Sequence, residues 1–158
     1  MDSDTRNLVD KGKMLPLMES FYTIQGEGFH KGAAAYFIRL GGCDVGCHWC
    51  DVKESWDALL HPPTLTTEIV ENTKHFSDTV VVTGGEPLMW DMSILTKLLK
   101  EKNKSVHIET SGAYDLSGNW DWICLSPKKR KLPKNEIYQV ADELKMIIYN
   151  KSDFEFAE

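Results

Sequence analysis

The chain has 158 residues, of which 42% are hydrophobic and 27% are charged, so it is long enough to form one domain with a sizeable core. Its formal net charge of −6 argues against nucleic-acid binding, and no apolar run reaches the ~18 residues of a membrane-spanning helix. Residues 1–13 are polar and unlike a signal peptide, so we expect a flexible lead-in and a cytoplasmic protein.

Predicted strands and helices alternate along most of the chain. Residues 14–18 are apolar, residues 21–24 carry β-forming side chains, and the near-continuous apolar run at 33–40 is typical of a strand buried on both faces. Further strands are predicted at residues 79–83, 106–110, 120–125 and 144–149, with helices at 67–75 and 91–102 between them. This repeat predicts an α/β fold with a parallel sheet, in a single domain spanning residues 1–158.

Four of the predicted strands end in polar or glycine-rich segments. These segments are Gly41-Gly42-Cys43, Thr83-Gly84-Gly85-Glu86, Glu109-Thr110-Ser111-Gly112 and Ser126-Pro127-Lys128. Ligands of parallel α/β sheets bind beyond the carboxyl ends of the strands. We therefore expect the thiols, the glycine turn, Glu109 and Lys128 to converge on one site.

Three cysteines occur within eight residues, at Cys43, Cys47 and Cys50, in the spacing C-x3-C-x2-C. Thiolates are soft ligands that select zinc, copper(I) or iron–sulfur clusters. A structural zinc takes four protein ligands and a standard four-iron cluster takes four cysteines, whereas only three thiols arrive together here. A four-iron cluster held by these three would leave one iron open to a ligand that is not protein.

Other interpretations of the cysteines stay open at this point. His48 or Cys124 could complete a zinc site, or the thiols could be reduced core cysteines. A disulfide framework is disfavoured, because no secretory signal is present and thiols this close are awkward to bridge. Cys124 lies between Ile123 and Leu125 on a predicted strand, which favours a buried core thiol.

The cysteine spacing, ending in Trp49-Cys50-Asp51, resembles the cluster motif of the radical S-adenosylmethionine (SAM) superfamily. Within that superfamily, residues 20 to 150 resemble the 7-carboxy-7-deazaguanine synthases. The matching stretches, in chain order, are residues 21–28, Arg39, the cysteines with Asp51, Thr83-Gly84-Gly85-Glu86-Pro87, residues 108–112, residues 121–124, Ser126-Pro127-Lys128 and Glu143-Leu144-Lys145.

The resemblance implies an incomplete, modified (β/α) barrel of the radical SAM type that works as a homodimer. It also implies conversion of 6-carboxy-5,6,7,8-tetrahydropterin to 7-carboxy-7-deazaguanine with loss of ammonia. The implied cofactors are a [4Fe-4S] cluster, SAM and Mg²⁺, and an electron donor such as flavodoxin or ferredoxin is expected. Nucleic acid and membranes are not expected partners.

The resemblance also implies roles for individual residues. Cys43, Cys47 and Cys50 would hold the cluster. The SAM site would be lined by Trp49, Cys50, Asp51, Gly85, Ser126, Pro127 and Lys128. The pterin would be held by Ile24, Gln25, Gly26, Arg39 and Thr83, with Glu27 and Glu109 as neighbours of these ligands.

The sequence departs from the family pattern at two places. The residue after Asp51 is usually Ser or Thr, whose oxygen binds magnesium, but here it is Val52. The family's closing segment is absent after Glu158, so we expect a C-terminal segment to be missing from this chain.

Two other functions remain as alternatives. One is an activating enzyme that installs a glycyl radical on a partner protein, since such enzymes use the same cysteine spacing. The other is a non-catalytic zinc or redox module. The Gln25-Gly26-Glu27-Gly28 motif upstream of the cysteines favours the small-molecule enzyme.

Overall fold

The computed structural model describes residues 2–158 and contains seven strands in one sheet. The strands are β1 (Met14–Ile24), β2 (Ala34–Leu40), β3 (Pro63–Leu65), β4 (Thr79–Gly84), β5 (Ser105–Thr110), β6 (Trp122–Leu125) and β7 (Glu143–Leu144). The α-helices are α1 (Ser3–Asp10), α2 (Thr66–Glu71), α3 (Ser93–Glu101), α4 (Asn135–Tyr138) and α5 (Lys151–Ala157). Short 3₁₀ turns lie at Lys53–Ser55, Ala58–Leu60 and Pro87–Met89.

The sheet is mixed and does not close on itself. Its order is β3-β1-β2-β4-β5-β6-β7, so β3 and β7 are the two edges. The five strands from β2 to β7 in this order pair in parallel, which confirms the predicted α/β fold with a parallel sheet. The β1 strand is antiparallel to both β2 and β3, which the sequence analysis did not foresee.

The two faces of the sheet have different chemistry. Alternate residues of the parallel strands, such as Ile38, Val82 and Ile108, are fully buried in the main core, which includes Leu95 of α3. The residues between them point to the opposite face, which we call the inner face. A small cluster of Phe21, Phe37 and Val81 packs there, and the rest of that face carries the polar side chains described below.

Residues 3–10, within the segment expected to be a flexible lead-in, form the helix α1. The Asp2 side chain caps α1 by accepting a hydrogen bond from Thr5 N at 2.8 Å, and Val9 is only 2% exposed. The segment is then fixed to α2, because the Thr66 hydroxyl donates to Gly12 O at 2.7 Å. Met1 lies outside the described residues.

The last predicted strand, at residues 144–149, is much shorter than expected. Pairing ends when Lys145 N donates to Leu125 O at 2.8 Å. The neighbouring strand itself stops at Leu125, and the proline two residues later has no N–H to continue a ladder. Residues 146–149 therefore have no strand to pair with, and Tyr149 is 64% exposed.

No helix within residues 2–158 combines the length and the apolar character needed to cross a membrane.

Candidate active site

The cysteines lie in a loop of residues 41–51, which we call the cluster loop, directly after β2. Backbone hydrogen bonds fix the start of this loop from two sides. Gly42 N donates to Ser55 O at 2.7 Å and Cys43 N donates to Trp56 O at 3.1 Å. From the β4 side, Glu86 N donates to Gly42 O at 2.8 Å. The loop is thus held by main-chain bonds, which leave the thiols free for ligands.

Gly85 is required where β4 meets the cluster loop. A Cβ atom at this position would lie 2.3 Å from Gly42 O and 3.1 Å from Cys43 Cβ. Any larger residue would therefore push the first cysteine away from the sheet. The glycine-rich turn that the sequence places after β4 serves close backbone approach, as predicted for such turns.

Glu86 joins this turn to the end of β5, although its side chain is only 1% exposed. Its carboxylate accepts hydrogen bonds from Leu88 N at 3.0 Å, Thr110 Oγ1 at 2.6 Å and Ser111 N at 2.7 Å. The Ser111 hydroxyl donates to it as well. These bonds satisfy a buried charge and fix two strand ends that face the same cavity.

The basic run after β6 also contacts the cluster loop. Lys131 Nζ pairs with the Asp44 carboxylate at 2.7 Å, and Arg130 donates to Gly46 O. Lys128 donates to Ser126 O at 2.6 Å and lies 5.6 Å from the centre of the Trp49 ring. Burial lowers the pKa of Lys128 below its ordinary value. The run is therefore part of the site wall, in addition to forming an exposed loop.

All three cysteines line one cavity of about 230 Å³ at the carboxyl ends of the strands. The thiols of Cys43, Cys47 and Cys50 are free and partly accessible, and burial raises the pKa of Cys43 and of Cys47. Six further predicted residues line the same cavity: Trp49, Asp51, Thr83, Gly85, Ser126 and Lys128. The predicted convergence of the strand ends is thus present, and Glu109 faces the cavity with them.

This arrangement fits a three-cysteine iron–sulfur cluster better than a mononuclear metal site. Three soft donors share the wall of one cavity, and Gly85 leaves room beside the first of them. Within residues 2–158, no group of three or more His, Cys, Asp or Glu side chains is placed to hold a single metal ion.

Neither of the two side chains that could have completed a zinc site lines the cavity shared by the three cysteines, although His48 lines a neighbouring cavity with Cys47. Cys124 is 6% exposed, and burial raises the pKa of its thiol to about 12, as expected for a buried core thiol. It lines a different, small cavity on the inner face. His48 packs edge-on against Tyr149, with ring centres 5.0 Å apart, and lines a third cavity.

A polar network on the inner face adjoins the cluster cavity. The Glu109 carboxylate accepts hydrogen bonds from Gln25 Nε2 at 3.1 Å, Thr83 Oγ1 at 3.2 Å and Lys145 Nζ at 3.3 Å. Burial opposes the charge of Lys145, but the nearby carboxylates of Glu109 and Glu27 outweigh it and raise the pKa of Lys145. The network therefore keeps a charged ammonium between two carboxylates at the cavity wall.

Arg39 lies beside this network, because it is the register partner of Thr83 in the parallel pair β2–β4. Its Nε is 3.3 Å from Glu19 Oε1, within ion-pair range, but the angle is not that of a hydrogen bond. The Nε atom is buried and has no hydrogen-bond partner among the described residues. The Arg39 side chain is 24% exposed, and its buried Nε is a donor that an anionic ligand could use.

The remaining predicted residues are less central in this structure. Pro127 lines the neighbouring cavity with Trp49 and Lys128. Ile24 is 61% exposed, and a Cβ atom on Gly26 would find nothing within 4 Å. The cluster cavity therefore includes Thr83 of the predicted pterin residues, and Gln25 is connected to it through Glu109.

Sequence reasoning missed two sets of contacts at the site. The Glu143-Leu144-Lys145 stretch was noted for its resemblance only, yet both charged side chains contact the loop that carries Gln25. The alternation of side chains along a strand could have predicted that Glu143 and Lys145 lie on one face, because residues two apart point the same way. The backbone carbonyls of Ser55 and Trp56 carry no such signal, because any residue could supply them.

Comparison with known proteins agrees with this geometry. Residues 37–126 match the family described as the radical SAM superfamily. A protein of Flavobacterium psychrophilum named 7-carboxy-7-deazaguanine synthase is 71% identical over 150 residues, covering 95% of this chain and 71% of that protein. One of the same name from Synechocystis sp. is 52% identical over 144 residues, covering 90% and 69%.

A solved structure is similar as well. The crystal structure of QueE from Escherichia coli superposes with a TM-score of 0.80 at 28% identity, over 99% of this chain and 80% of that one. The expected incomplete barrel is thereby confirmed, and neither a zinc module nor a glycyl-radical activating enzyme is supported. By sequence and by fold, the chain belongs to the radical SAM superfamily and, within it, to the family of the 7-carboxy-7-deazaguanine synthases.

Proposed function

We propose that the chain is a carbon–nitrogen lyase that converts 6-carboxy-5,6,7,8-tetrahydropterin to 7-carboxy-7-deazaguanine with loss of ammonia, in deazapurine (queuosine) biosynthesis. The main observation behind this proposal is that two sites lie next to each other. The cavity of the three cysteines and the polar network around Glu109 adjoin each other at the carboxyl ends of the parallel strands. A cofactor in the first would therefore lie beside a substrate held by the second.

The residues that line this cavity have proposed roles. Cys43, Cys47 and Cys50 would hold the cluster, and the SAM site would be lined by Trp49, Cys50, Asp51, Gly85, Ser126, Pro127 and Lys128. When bound, the cluster and SAM supply the one-electron chemistry that the protein itself lacks. The Lys128 ammonium, held by Ser126 at the cavity wall, favours an anionic group beside it.

The polar network would bind the pterin. Arg39 would bind the substrate carboxylate, since guanidinium and carboxylate match in shape and charge. Ile24, Gln25, Gly26 and Thr83 would contact the pterin ring, and the glycine lets the backbone come near it. Glu109, already an acceptor for Gln25 and Thr83, would orient both of them.

Turnover of the named substrate tests the proposal. The anaerobically reconstituted chain should form 7-carboxy-7-deazaguanine and ammonia from 6-carboxy-5,6,7,8-tetrahydropterin in the presence of SAM and a reductant. The product and 5′-deoxyadenosine are quantified together by liquid chromatography. Cleavage of SAM without any product from this pterin would contradict the proposed substrate.

Replacing Arg39 with alanine is expected to weaken pterin binding and to retain SAM cleavage. Loss of a charged hydrogen bond should raise the KM for the pterin ~10- to 100-fold. The KM and the rate of 5′-deoxyadenosine formation are measured on the same preparation. Arg6→Ala, on α1, is the matched control and should behave like the wild type. An unchanged KM in Arg39→Ala would show that Arg39 only supports the structure.

The described residues do not fit a magnesium ion held by the protein at Val52. This side chain has no oxygen, and its carbonyl accepts a hydrogen bond from Ser55 Oγ at 2.7 Å. Magnesium prefers several oxygen ligands in octahedral geometry. Any Mg²⁺ at the site would depend on the substrate, water and other backbone groups.

Replacing Val52 with threonine is therefore expected to strengthen the dependence of turnover on Mg²⁺. The added hydroxyl supplies an oxygen ligand beside Asp51. It should therefore increase the stimulation of turnover by Mg²⁺ several-fold, which is roughly the effect of one additional metal–oxygen contact. Turnover is titrated with MgCl₂ after treatment with a chelator. Val52→Ala serves as the control. Equal magnesium responses of all three proteins would place the ion, if it binds, away from residue 52.

The proposal includes three further properties. The working unit is a homodimer, and the reducing electron comes from a donor such as flavodoxin or ferredoxin. The oxygen sensitivity of an exposed cluster favours a reducing compartment such as the cytoplasm.

A further inference from the structure

Two charged side chains near β7 contact the loop of residues 25–32, which we call the substrate loop. Glu143 Oε1 accepts a hydrogen bond from Phe29 N at 3.2 Å, and its Oε2 accepts one from Trp122 Nε1 at 3.1 Å. Two residues later, Lys145 Nζ lies 3.6 Å from Glu27 Oε1. Both side chains point to the inner face because they are two residues apart along an extended segment.

The substrate loop has little else to hold it. Most of its residues are exposed, and Phe29 is 76% exposed although its ring stacks on Trp122 at 5.0 Å. Backbone bonds close its base, where Gln25 N donates to Ala33 O and Gly32 N donates to Gln25 O, each at 2.8 Å, and one turn within it, where Lys31 N donates to Gly28 O at 3.2 Å. Segments with few buried contacts open at low free-energy cost. The position of the loop on the sheet therefore depends on its side-chain contacts to β5, β6 and β7, which include the packing of His30 on His107 and Trp122, with ring centres 4.6 Å apart in each pair.

Gly28 shows how closely the loop is held to Glu143. Its φ is +76°, and a Cβ atom there would lie 2.1 Å from Glu143 Oε1. The glycine thus allows the carboxylate to reach the backbone of the loop tip. A single carboxylate joins the loop to the indole of Trp122, which is part of the sheet.

We propose that Glu143 is a positioning residue, which holds the substrate loop on the sheet so that Gln25 and Glu27 face the pterin. This inference rests on the proposed function, because it concerns the same substrate. The Glu143 carboxylate contacts the loop and not the cysteine cavity. Its loss should therefore affect the pterin and leave the cluster intact.

The test compares Glu143→Ala and Glu143→Gln in the full, anaerobically reconstituted chain, with 6-carboxy-5,6,7,8-tetrahydropterin, SAM and a reductant. We expect Glu143→Ala to raise the KM for the pterin about tenfold or more, because a charge-assisted bond to the backbone is lost. Since a loosely held substrate lets SAM be cleaved without product, 5′-deoxyadenosine per product should rise too. Glu143→Gln keeps an acceptor for Phe29 N and should restore most of the wild-type KM.

A second variant tests the same contact from the exposed side, where the core is not disturbed. Gly28→Ala should raise the KM as well, because its methyl group displaces the carboxylate and because the φ of +76° disfavours alanine. In the double variant with Glu143→Ala, the increase in KM should be well below the product of the two single increases, because both substitutions remove the same contact. Glu68→Ala, an exposed glutamate on α2, is the matched control and should leave the KM and the product ratio unchanged.

The outcomes separate this inference from the proposed function. No turnover of the pterin by the wild type would overturn the proposed function and this inference with it. Turnover by the wild type, with a wild-type KM and product ratio in Glu143→Ala or in Gly28→Ala, would overturn the inference alone. Fully multiplicative effects in the double variant would also overturn it.

Discussion

Replacing Cys47 with alanine is expected to abolish cluster binding and, with it, SAM cleavage. Cys47 is one of only three thiols on the wall of the cluster cavity, and no other Cys or His lines that cavity. A cluster left with two protein thiolates loses a covalent ligand for which the cavity offers no other thiol. Iron content should fall from about four per chain toward zero after anaerobic reconstitution. The measurement is iron per chain, with 5′-deoxyadenosine formation as the second readout.

Cys124→Ala is the matched control for this experiment. Its thiol is buried on the inner face and kept protonated, with a pKa raised by burial to about 12. We expect normal iron content and SAM cleavage, with a stability loss typical of a small core truncation. Loss of the cluster in Cys124→Ala, or a full iron complement in Cys47→Ala, would contradict the ligand assignment.

Replacing Glu86 with alanine is expected to have the largest effect on stability. The buried carboxylate accepts hydrogen bonds from Leu88 N, Thr110 Oγ1 and both polar groups of Ser111. Alanine leaves these donors without a partner, and each such donor costs about 1–3 kcal/mol. The two hydroxyls can rotate toward other acceptors, so mainly the two backbone N–H groups stay unpaired, and the free energy of unfolding should fall by about 3–5 kcal/mol. Chemical denaturation under anaerobic conditions measures it.

Glu86→Gln and Glu68→Ala complete that comparison. Glutamine keeps one acceptor oxygen but turns an amide toward the remaining donors, so its loss should be smaller than that of alanine. The exposed Glu68 makes no side-chain hydrogen bond or ion pair within residues 2–158, and its variant should change stability by about 0.5 kcal/mol or less. A Glu86→Ala protein as stable as Glu68→Ala would show that the buried network is not a stabilising element.

Much of the sheet could be predicted because its strands are locally unambiguous. The apolar runs at β2, β4 and β5 are buried on both faces, and their parallel order follows from the helical crossovers between them. The convergence of Cys43, Gly85 and Lys128 at one mouth could be predicted for the same reason. Strand ends in a parallel sheet lie at the same edge.

Other features depend on tertiary contacts that a local pattern does not contain. Threonine is a common helix cap, but the Thr66 hydroxyl donates to Gly12 O, so α2 begins after Leu65 with no side-chain cap. The short β3 contains Pro63, and only its pairing with β1 makes it a strand. Residues 144–149 look like a strand by composition, but pairing with β6 ends at Lys145, and residues 146–149 have no neighbouring strand.

The candidate site likewise combines features that the sequence predicts with features that depend on the fold. The cysteine spacing predicts the ligands of a cluster, because ligand type and number are chemical properties of the residues. The partners that orient the site are distant in sequence: Lys145 reaches Glu27 and Glu109, and Lys131 reaches Asp44. Such pairs become visible only when the fold brings β7 and the basic run beside their partners.

The account depends most on a four-iron cluster with three protein ligands and one iron open to SAM. Anaerobic reconstitution followed by metal analysis, and then by reduction in the presence of SAM, tests it directly. The account predicts about four irons per chain and formation of 5′-deoxyadenosine only after reduction. One zinc per chain with no uptake of iron would contradict it.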